Sequence, residues 1–123
     1  MKNNPIIKRA VILPGITVVS PIIDLARMRT ISVQARCTYN ASATEAMRSY
    51  VYLSVDGDNW DTSELTYFDV NVTQGLACQR SQIILSPEQG YMCFGVKNRS
   101  GSRNITDVSL WITTARWDKV DSA

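Results

Sequence analysis

The side chains best suited to chemistry form an acidic cluster in the middle of the chain: Asp56, Asp58 and Asp61 lie close together, and Glu64 and Asp69 follow. Glycosidases use two carboxylates about 5–10 Å apart across a cleft. Carboxylates are also good calcium ligands, although these lack the spacing of a calcium-binding loop with a closing Glu. A third interpretation is turn chemistry, because Asp and Asn bond their own backbone and Gly supplies a positive φ. We favour the turn and keep Asp56, Asp58 and Asp61 as calcium candidates.

The sequence contains no histidine among its 123 residues. Histidine is the commonest general base near neutral pH, so neither a Ser-His-Asp nor a Cys-His site can be built. The three cysteines, Cys37, Cys78 and Cys93, are far apart and include no Cys-x-x-Cys pair that would indicate zinc. Their odd number and wide spacing do not predict a disulfide framework and fit a reducing cytoplasm. We predict a protein that is not an enzyme and carries no cofactor.

Aromatic side chains are the second kind of candidate, because Trp and Tyr serve as platforms for sugars and as interface residues. Trp60 directly follows a polar turn and is expected to fold back over a sheet edge. In the strand predicted at 108–115, Val108, Leu110 and Ile112 lie on one face and Trp111 lies on the opposite, outer face. The candidate glycan-binding or interface aromatics are Trp60, Tyr52 and Trp111. The competing interpretation is that these rings pack in the core.

Charge and hydropathy exclude two classes of partner. The net charge of +2, from 13 basic and 11 acidic residues, is too small to indicate binding to nucleic acid or an anionic membrane. The most apolar stretch, Val11 to Ile23, is interrupted by Pro14, Gly15 and Pro21. It falls short of the ~20 apolar residues that a membrane-spanning helix needs. We therefore predict neither a nucleic-acid nor a membrane partner.

The elements that position these residues are short strands. Ile31 to Tyr39 alternates between apolar and polar side chains, as expected of a half-buried antiparallel strand. Asp56 to Asn59 is the strongest turn signal. Strands are predicted at 31–39, 50–55, 65–72, 77–85, 91–97 and 108–115, with 91–97 central because it is apolar on both faces. Short strands at this spacing, with turn residues between them, predict an all-β fold that is a sandwich or a barrel.

The first 24 residues are predicted to form an extended N-terminal arm or first strand, since Pro5, Pro14 and Pro21 rule out a long helix. The surface that covers this apolar segment is either the chain's own sandwich or a neighbouring subunit. The predicted division is an arm at 1–24, a sandwich domain at 25–117 and a flexible tail at 118–123. The partner-binding candidates in the arm are Ile6, Ile7, Val11, Ile12, Leu13 and Ile16.

The segment Tyr50–Trp60 reads Tyr-Val-Tyr-Leu-Ser-Val-Asp-Gly-Asp-Asn-Trp. It resembles the strand-turn signature of discoidin-like and related carbohydrate-module jelly rolls, in which a strand ends in Ser-x-Asp-Gly-x-x-Trp. Pro21 to Leu25, followed by Ile31 to Ala35, is similar to the opening of those domains. The resemblance covers roughly the middle third of the chain. It implies that the all-β fold is a single antiparallel β-sandwich, jelly-roll-like with about 7–8 strands, and it does not specify a ligand.

The whole pattern also resembles small structural proteins of tailed phages. The shared features are a Pro-rich arm, an Ile-Asp-Leu, the acidic hairpin and a closing Val-x-Leu strand. This resemblance implies a virion protein made in the host bacterial cytoplasm. We expect a head decoration (cement) protein that binds a major capsid or other virion protein through its arm and sandwich edge. Symmetric homo-oligomers are the default for such proteins, and a trimer is expected.

A second function stays open from the same residues. The chain could be a carbohydrate-binding module, or a tail or baseplate accessory protein that binds glycans through exposed aromatics. Trp60, Tyr52 or Trp111 would then be stacking platforms, and Asn59 or the loop carboxylates would supply polar contacts.

Overall fold

Strands and turns make up the structure, as the alternating sequence predicts. The structure is a computed structural model that describes residues 5–26, 28–85 and 90–116, so the predicted tail at 118–123 lies outside the described residues. Within these ranges no helix is long and apolar enough to cross a bilayer. The strands are β1 Pro5–Ile12, β2 Thr17–Val19, β3 Ile23–Asp24, β4 Met28–Tyr39, β5 Met47–Ser54, β6 Thr66–Val70, β7 Ala77–Leu85, β8 Tyr91–Lys97 and β9 Ile105–Arg116.

These strands form two antiparallel sheets, which confirms the predicted all-β sandwich. The four-stranded sheet has the order β1-β9-β4-β7. The five-stranded sheet has the order β2-β8-β5-β6, with β3 also paired to β8. The described residues contain nine strands rather than the predicted seven or eight, because the edge beside β8 is made of two short strands, β2 and β3. The central position predicted for 91–97 is confirmed, since β8 lies between this edge and β5.

One core fills the space between the sheets. In β4 the inward side chains of Ile31, Val33 and Ala35 are fully buried, as the alternation predicts. From the other sheet, Val51 and Phe94 meet the same cluster. Burying side chains of this size contributes about 1.5–3 kcal/mol each, so this interior is the main source of stability.

The N-terminal segment is part of the sandwich. β1 pairs with β9 along its length, and β2 and β3 pair with β8. Ile7 is 6% exposed and Ile12 is 0% exposed, and both belong to the core. The prediction that Ile7 and Ile12 contact a partner is therefore corrected: as inward residues of an edge strand, they fill the chain's own interior.

The other partner-binding candidates lie elsewhere on this segment. Ile6 is half-buried against the core. Val11, Leu13 and Ile16 are at least half exposed. For these residues the contact with a partner stays a prediction.

The edge formed by β2 and β3 is held together by a serine. Pro21 interrupts it because proline has no N–H for the ladder. The N–H of Ser20 donates to the carbonyl oxygen of Phe94 (2.8 Å), and the N–H of Phe94 donates to Ser20 Oγ (2.9 Å). The backbone N–H and the side-chain oxygen of Ser20 thus both bond to Phe94 and keep the edge attached to β8 beside the proline.

Tyr39, at the end of β4, links the two sheets through its hydroxyl. The Tyr39 O–H donates to the carbonyl oxygen of Val70 in β6. The N–H of Met47 in β5 donates to the same Tyr39 oxygen at 2.8 Å. Burial raises the pKa of Tyr39 well above its ordinary value, which keeps the hydroxyl protonated and able to donate.

Replacing Tyr39 by phenylalanine should destabilise the fold, because the Met47 N–H and the Val70 carbonyl would lose their buried partner. We expect Y39F to lower the free energy of unfolding by about 1–3 kcal/mol, measured by urea denaturation. Tyr67→Phe is the matched control, since Tyr67 is 47% exposed. Equal stabilities of Y39F and Y67F would contradict the role of this hydroxyl.

Candidate binding face

The outer face of the five-stranded sheet carries a group of tyrosines. In β5, Tyr50 and Tyr52 alternate with the buried residues Ser49 and Val51, so their side chains project outward. Tyr67 of β6 lies directly opposite Tyr50. Side chains of directly opposed antiparallel residues share a face. Tyr50, Tyr52 and Tyr67 therefore form one surface, called here the tyrosine face.

The three rings are close enough to act as one platform. The ring centroids of Tyr50 and Tyr52 are 6.2 Å apart with planes inclined by 27°, and those of Tyr50 and Tyr67 are 6.0 Å apart. Gly95 of β8 lies opposite Tyr50 on the other side. A Cβ at Gly95 would lie 3.4 Å from Cε2 of Tyr52, so the absent side chain gives that ring its room. The result is a broad apolar surface on a rigid strand.

An ion pair borders this surface. Arg48 Nε lies 2.7 Å from Asp69 Oδ1, and Arg48 Nη2 lies 3.0 Å from Asp69 Oδ2, a bidentate arrangement. The Arg48 guanidinium carbon is 4.0 Å from the centroid of the Tyr67 ring, a cation–π contact. The hydrogen bonds from Arg48 hold the pKa of Asp69 below its ordinary value. The pair thus presents fixed donors and acceptors beside the rings.

The Asp56–Asn59 part of the acidic cluster is a turn, as we favoured from the sequence. Asp56 Oδ1 accepts hydrogen bonds from the N–H groups of Asp58 (2.9 Å) and Asn59 (2.8 Å), and Asp56 Oδ2 accepts from Asn59 Nδ2 (2.8 Å). Gly57 has a φ of +83°, and a Cβ at this position would lie 3.4 Å from the ring of Tyr91. The bonds from Asn59 and Asp58 lower the pKa of Asp56 well below its ordinary value. Its carboxylate is therefore committed to the backbone of the turn.

The calcium interpretation receives no support from this geometry. Across the described ranges, no three His, Cys, Asp or Glu side chains are grouped so that they could hold a metal ion. Asp56, Asp58 and Asp61 therefore do not converge on one point, since the turn directs Asp56 toward its own backbone.

The structure separates the three aromatic candidates. Tyr52 is half-buried on the tyrosine face, and Trp60 forms a bridge to Ser54, which places it at the end of that same face. Trp111 lies opposite Gln34 on the outer face of the four-stranded sheet, on the other side of the sandwich. Tyr50 and Tyr67 belong to the wider set of aromatics that the sequence offers for a sugar platform, but the three leading candidates do not include them. The alternation Tyr50-Val-Tyr52 could have indicated the first, whereas Tyr67 is revealed by the β5–β6 register.

Two of the three cysteines, Cys37 and Cys93, are buried and unsuited to act as nucleophiles. Burial raises the pKa of the Cys37 thiol to about 12 and also raises the pKa of Cys93. Both thiols are therefore protonated near neutral pH and pack as small apolar groups.

No protein-family model matches the chain, and no characterised protein matches it by sequence. Among solved structures it is similar to the carbohydrate-binding module CBM4, with a TM-score of 0.56, 14% identity, and coverage of 79% of this chain and 61% of that one. It is similar to the CBM22-1 and GH10 modules of Clostridium thermocellum xylanase 10B complexed with xylohexaose. There the TM-score is 0.55, the identity 15%, and the coverage 76% of this chain and 19% of that one.

A third similar structure is the enzymatically active domain of Bacteriophage CBA120 tailspike protein 4, with a TM-score of 0.53 and 12% identity. The match covers 84% of this chain and 15% of that one. The chain thus spans less than two thirds of each of these three structures. At these identities the similarity establishes the fold, a β-sandwich of the kind found in carbohydrate-binding modules.

The turn predicts a dependence of stability on pH. The folded-state pKa of Asp56 lies below its ordinary value of 3.8. The charged carboxylate therefore stabilises the fold above that value, and this contribution is lost as the pH falls through the folded-state pKa. We expect the native protein to be more stable than D56N from pH 7 down to about pH 5, with the difference shrinking at lower pH. Urea denaturation at several pH values measures it.

Asn59→Ala provides the matched test, because it removes one hydrogen-bond donor to the same carboxylate. In the N59A background, D56N should lower the free energy of unfolding at pH 7 by less than it does in the native background. If the native protein and D56N differed in unfolding free energy by the same amount at pH 7 and pH 3, the lowered folded-state pKa of Asp56 would be contradicted.

Proposed function

We propose that this chain is a carbohydrate-binding domain whose tyrosine face holds a glycan, and that it binds without catalysing a reaction. The observation that carries the proposal is the close grouping of Tyr50, Tyr52 and Tyr67 on one outer sheet face, with neighbouring ring centroids 6.0–6.2 Å apart. The similarity of the fold to CBM4, and to a CBM22-containing structure complexed with xylohexaose, supports it.

The chemistry of the face suits a sugar. The C–H faces of pyranose rings are apolar and pack on aromatic rings, and buried aromatic pairs contribute about 0.5–1.5 kcal/mol beyond the area they bury. Tyr67 is 47% exposed, so part of its ring is accessible for such contact beside the face that Arg48 covers. Sugar hydroxyls also need donors and acceptors at the edge of the platform. Arg48 and Asp69 supply both, held in place by their mutual hydrogen bonds.

The carboxylates near the face favour binding over hydrolysis. A glycosidase needs a general acid whose pKa is raised. The pKa of Asp69 is lowered by Arg48, and the pKa of Asp56 is lowered by the turn. Both carboxylates are thus stabilised in their charged form, and Asp69, which borders the tyrosine face, suits hydrogen-bond acceptance from sugar hydroxyls.

The alternative of a phage head decoration protein stays a prediction from sequence resemblance. The similarity to a phage tailspike domain is at 12% identity and concerns the fold. A role for Val11, Leu13 and Ile16 in contacting a virion protein also stays a prediction.

Truncating the platform tests the proposal. In affinity gel electrophoresis with soluble xylan, mixed-linkage β-glucan, laminarin and arabinogalactan, we expect the native protein to be retarded by at least one of the four. Tyr50→Ala should weaken that retardation about tenfold, because Tyr50 contacts both neighbouring rings and its loss corresponds to about 1–2 kcal/mol. Tyr67→Ala should act in the same direction.

Ile83→Ala is the control, since Ile83 is 68% exposed and lies on β7 of the opposite sheet. It should migrate as the native protein does on every gel. Retardation that is equal in Y50A and the native protein would reject the tyrosine face as the glycan site, as would the absence of retardation on all four polysaccharides.

A further inference from the structure

The opposite side of the sandwich carries a polar groove. It lies on the outer face of the four-stranded sheet, where β1, β9 and β4 run side by side. Its volume is about 400 Å³. Its lining residues are Arg9, Arg36, Thr38, Asp107, Ser109 and Trp111. A neighbouring cavity of about 240 Å³ also uses Trp111, so the indole lies between two concave regions.

Backbone strain is concentrated at this groove. Arg9 has a φ of +45° and Asp107 a φ of +50°, and within the described residues these are the non-glycine positions with positive φ. Both lie where the register of the ladder shifts, in β1 between Ile7 and Ala10 and in β9 opposite the segment between Arg36 and Thr38. Such β-bulges usually place glycine at the left-handed position.

The two strained positions are occupied by charged residues rather than by glycine. Residues with a Cβ disfavour this backbone region, so glycine would be the less strained choice at both bulges. Here the two positions carry charged side chains that line the same groove. The N–H of Arg9 donates to Ser109 Oγ at 3.1 Å, which fixes the bulged backbone against β9. Strained positions that persist with functional side chains tend to cluster at binding sites.

The charges of the groove are open to a ligand. Arg9 and Arg36 are both exposed, and in the part of the chain that the structure describes neither has a carboxylate within ion-pair distance. Asp107 adds one negative charge to the same lining, so the three charges sum to one positive charge. This excess of positive charge favours a ligand that carries a negative charge.

We propose that this groove is a second binding site, for a saccharide that carries a carboxylate, such as a uronic acid. Arg36 and Arg9 bind the carboxylate, since guanidinium groups pair with carboxylates through charge-assisted hydrogen bonds. The Trp111 ring packs against the sugar, and Asp107 accepts hydrogen bonds from its hydroxyls. The site is independent of the tyrosine face, because the two lie on different sheets.

The test is an NMR titration of the isotope-labelled native chain with sodium glucuronate, glucose and sodium acetate, followed at the indole N–H of Trp111. Glucuronate should shift this signal and the backbone signals around Arg36, whereas glucose at equal concentration should not. Arg36→Gln should weaken glucuronate binding about tenfold, the loss expected for a charge-assisted hydrogen bond. Arg103→Gln is the matched control, an exposed arginine outside the groove, and should bind as the native protein does.

Arg9→Gly separates binding from folding. Glycine accommodates a φ of +45° without a Cβ, so the melting temperature should be no lower than that of the native protein. Glucuronate affinity should nevertheless fall, because the guanidinium is gone. A variant that keeps its melting temperature and loses affinity supports the proposal.

Three results would overturn it. The first is a glucose titration that shifts Trp111 as strongly as glucuronate does. The second is acetate binding with the affinity of glucuronate, which would indicate an adventitious ion only. The third is unchanged glucuronate affinity in both R36Q and R9G.

Discussion

The hydroxyl of Tyr39 joins the two sheets at a point where the chain must change from one to the other. It donates to the carbonyl oxygen of Val70 and accepts from the N–H of Met47. These are the last residue of β6 and the first residue of β5. One buried hydroxyl therefore positions the start and the end of the hairpin that carries the tyrosine face. Without this hydroxyl, the N–H of Met47 and the carbonyl of Val70 would be buried without hydrogen-bond partners. A shift of the hairpin that moved them away from the hydroxyl would therefore cost free energy.

Once the hairpin is positioned, its outer face is fixed by interactions that are local to it. The cross-strand register places Tyr50 beside Tyr67 and Arg48 beside Asp69. The bidentate ion pair then holds the guanidinium over the Tyr67 ring. Because both ends of each contact lie on paired strands, little conformational freedom is left to lose when a ligand binds. Such preorganisation lowers the cost of binding.

The sequence predicted what depends on short-range pattern and missed what depends on register. The alternation in β4 and the apolar run of β8 gave both strands and their burial, and the Asp56–Asn59 turn was identified from residue type. The pairing of Tyr67 with Tyr50 was not predictable, because it depends on the register between β6 and β5. The place of residues 5–12 was left open for a similar reason, since an apolar edge strand and an apolar arm have the same sequence pattern. Only the pairing of β1 with β9 distinguishes them.

The bulges at Arg9 and Asp107 extend this argument to the opposite sheet. A regular ladder would alternate every side chain of β1 and β9 strictly between the core and solvent. Each bulge inserts one residue and so changes which side chains face outward after it. That change lets Ile7 and Ile12 both reach the core while Arg9 lines the outer groove with Asp107. The same irregularity thus satisfies the core and assembles the charged groove, so removing a bulge would disturb both. Substituting the exposed side chain at the bulge leaves the core intact, and this is why the chemistry of the groove can be changed separately from the fold.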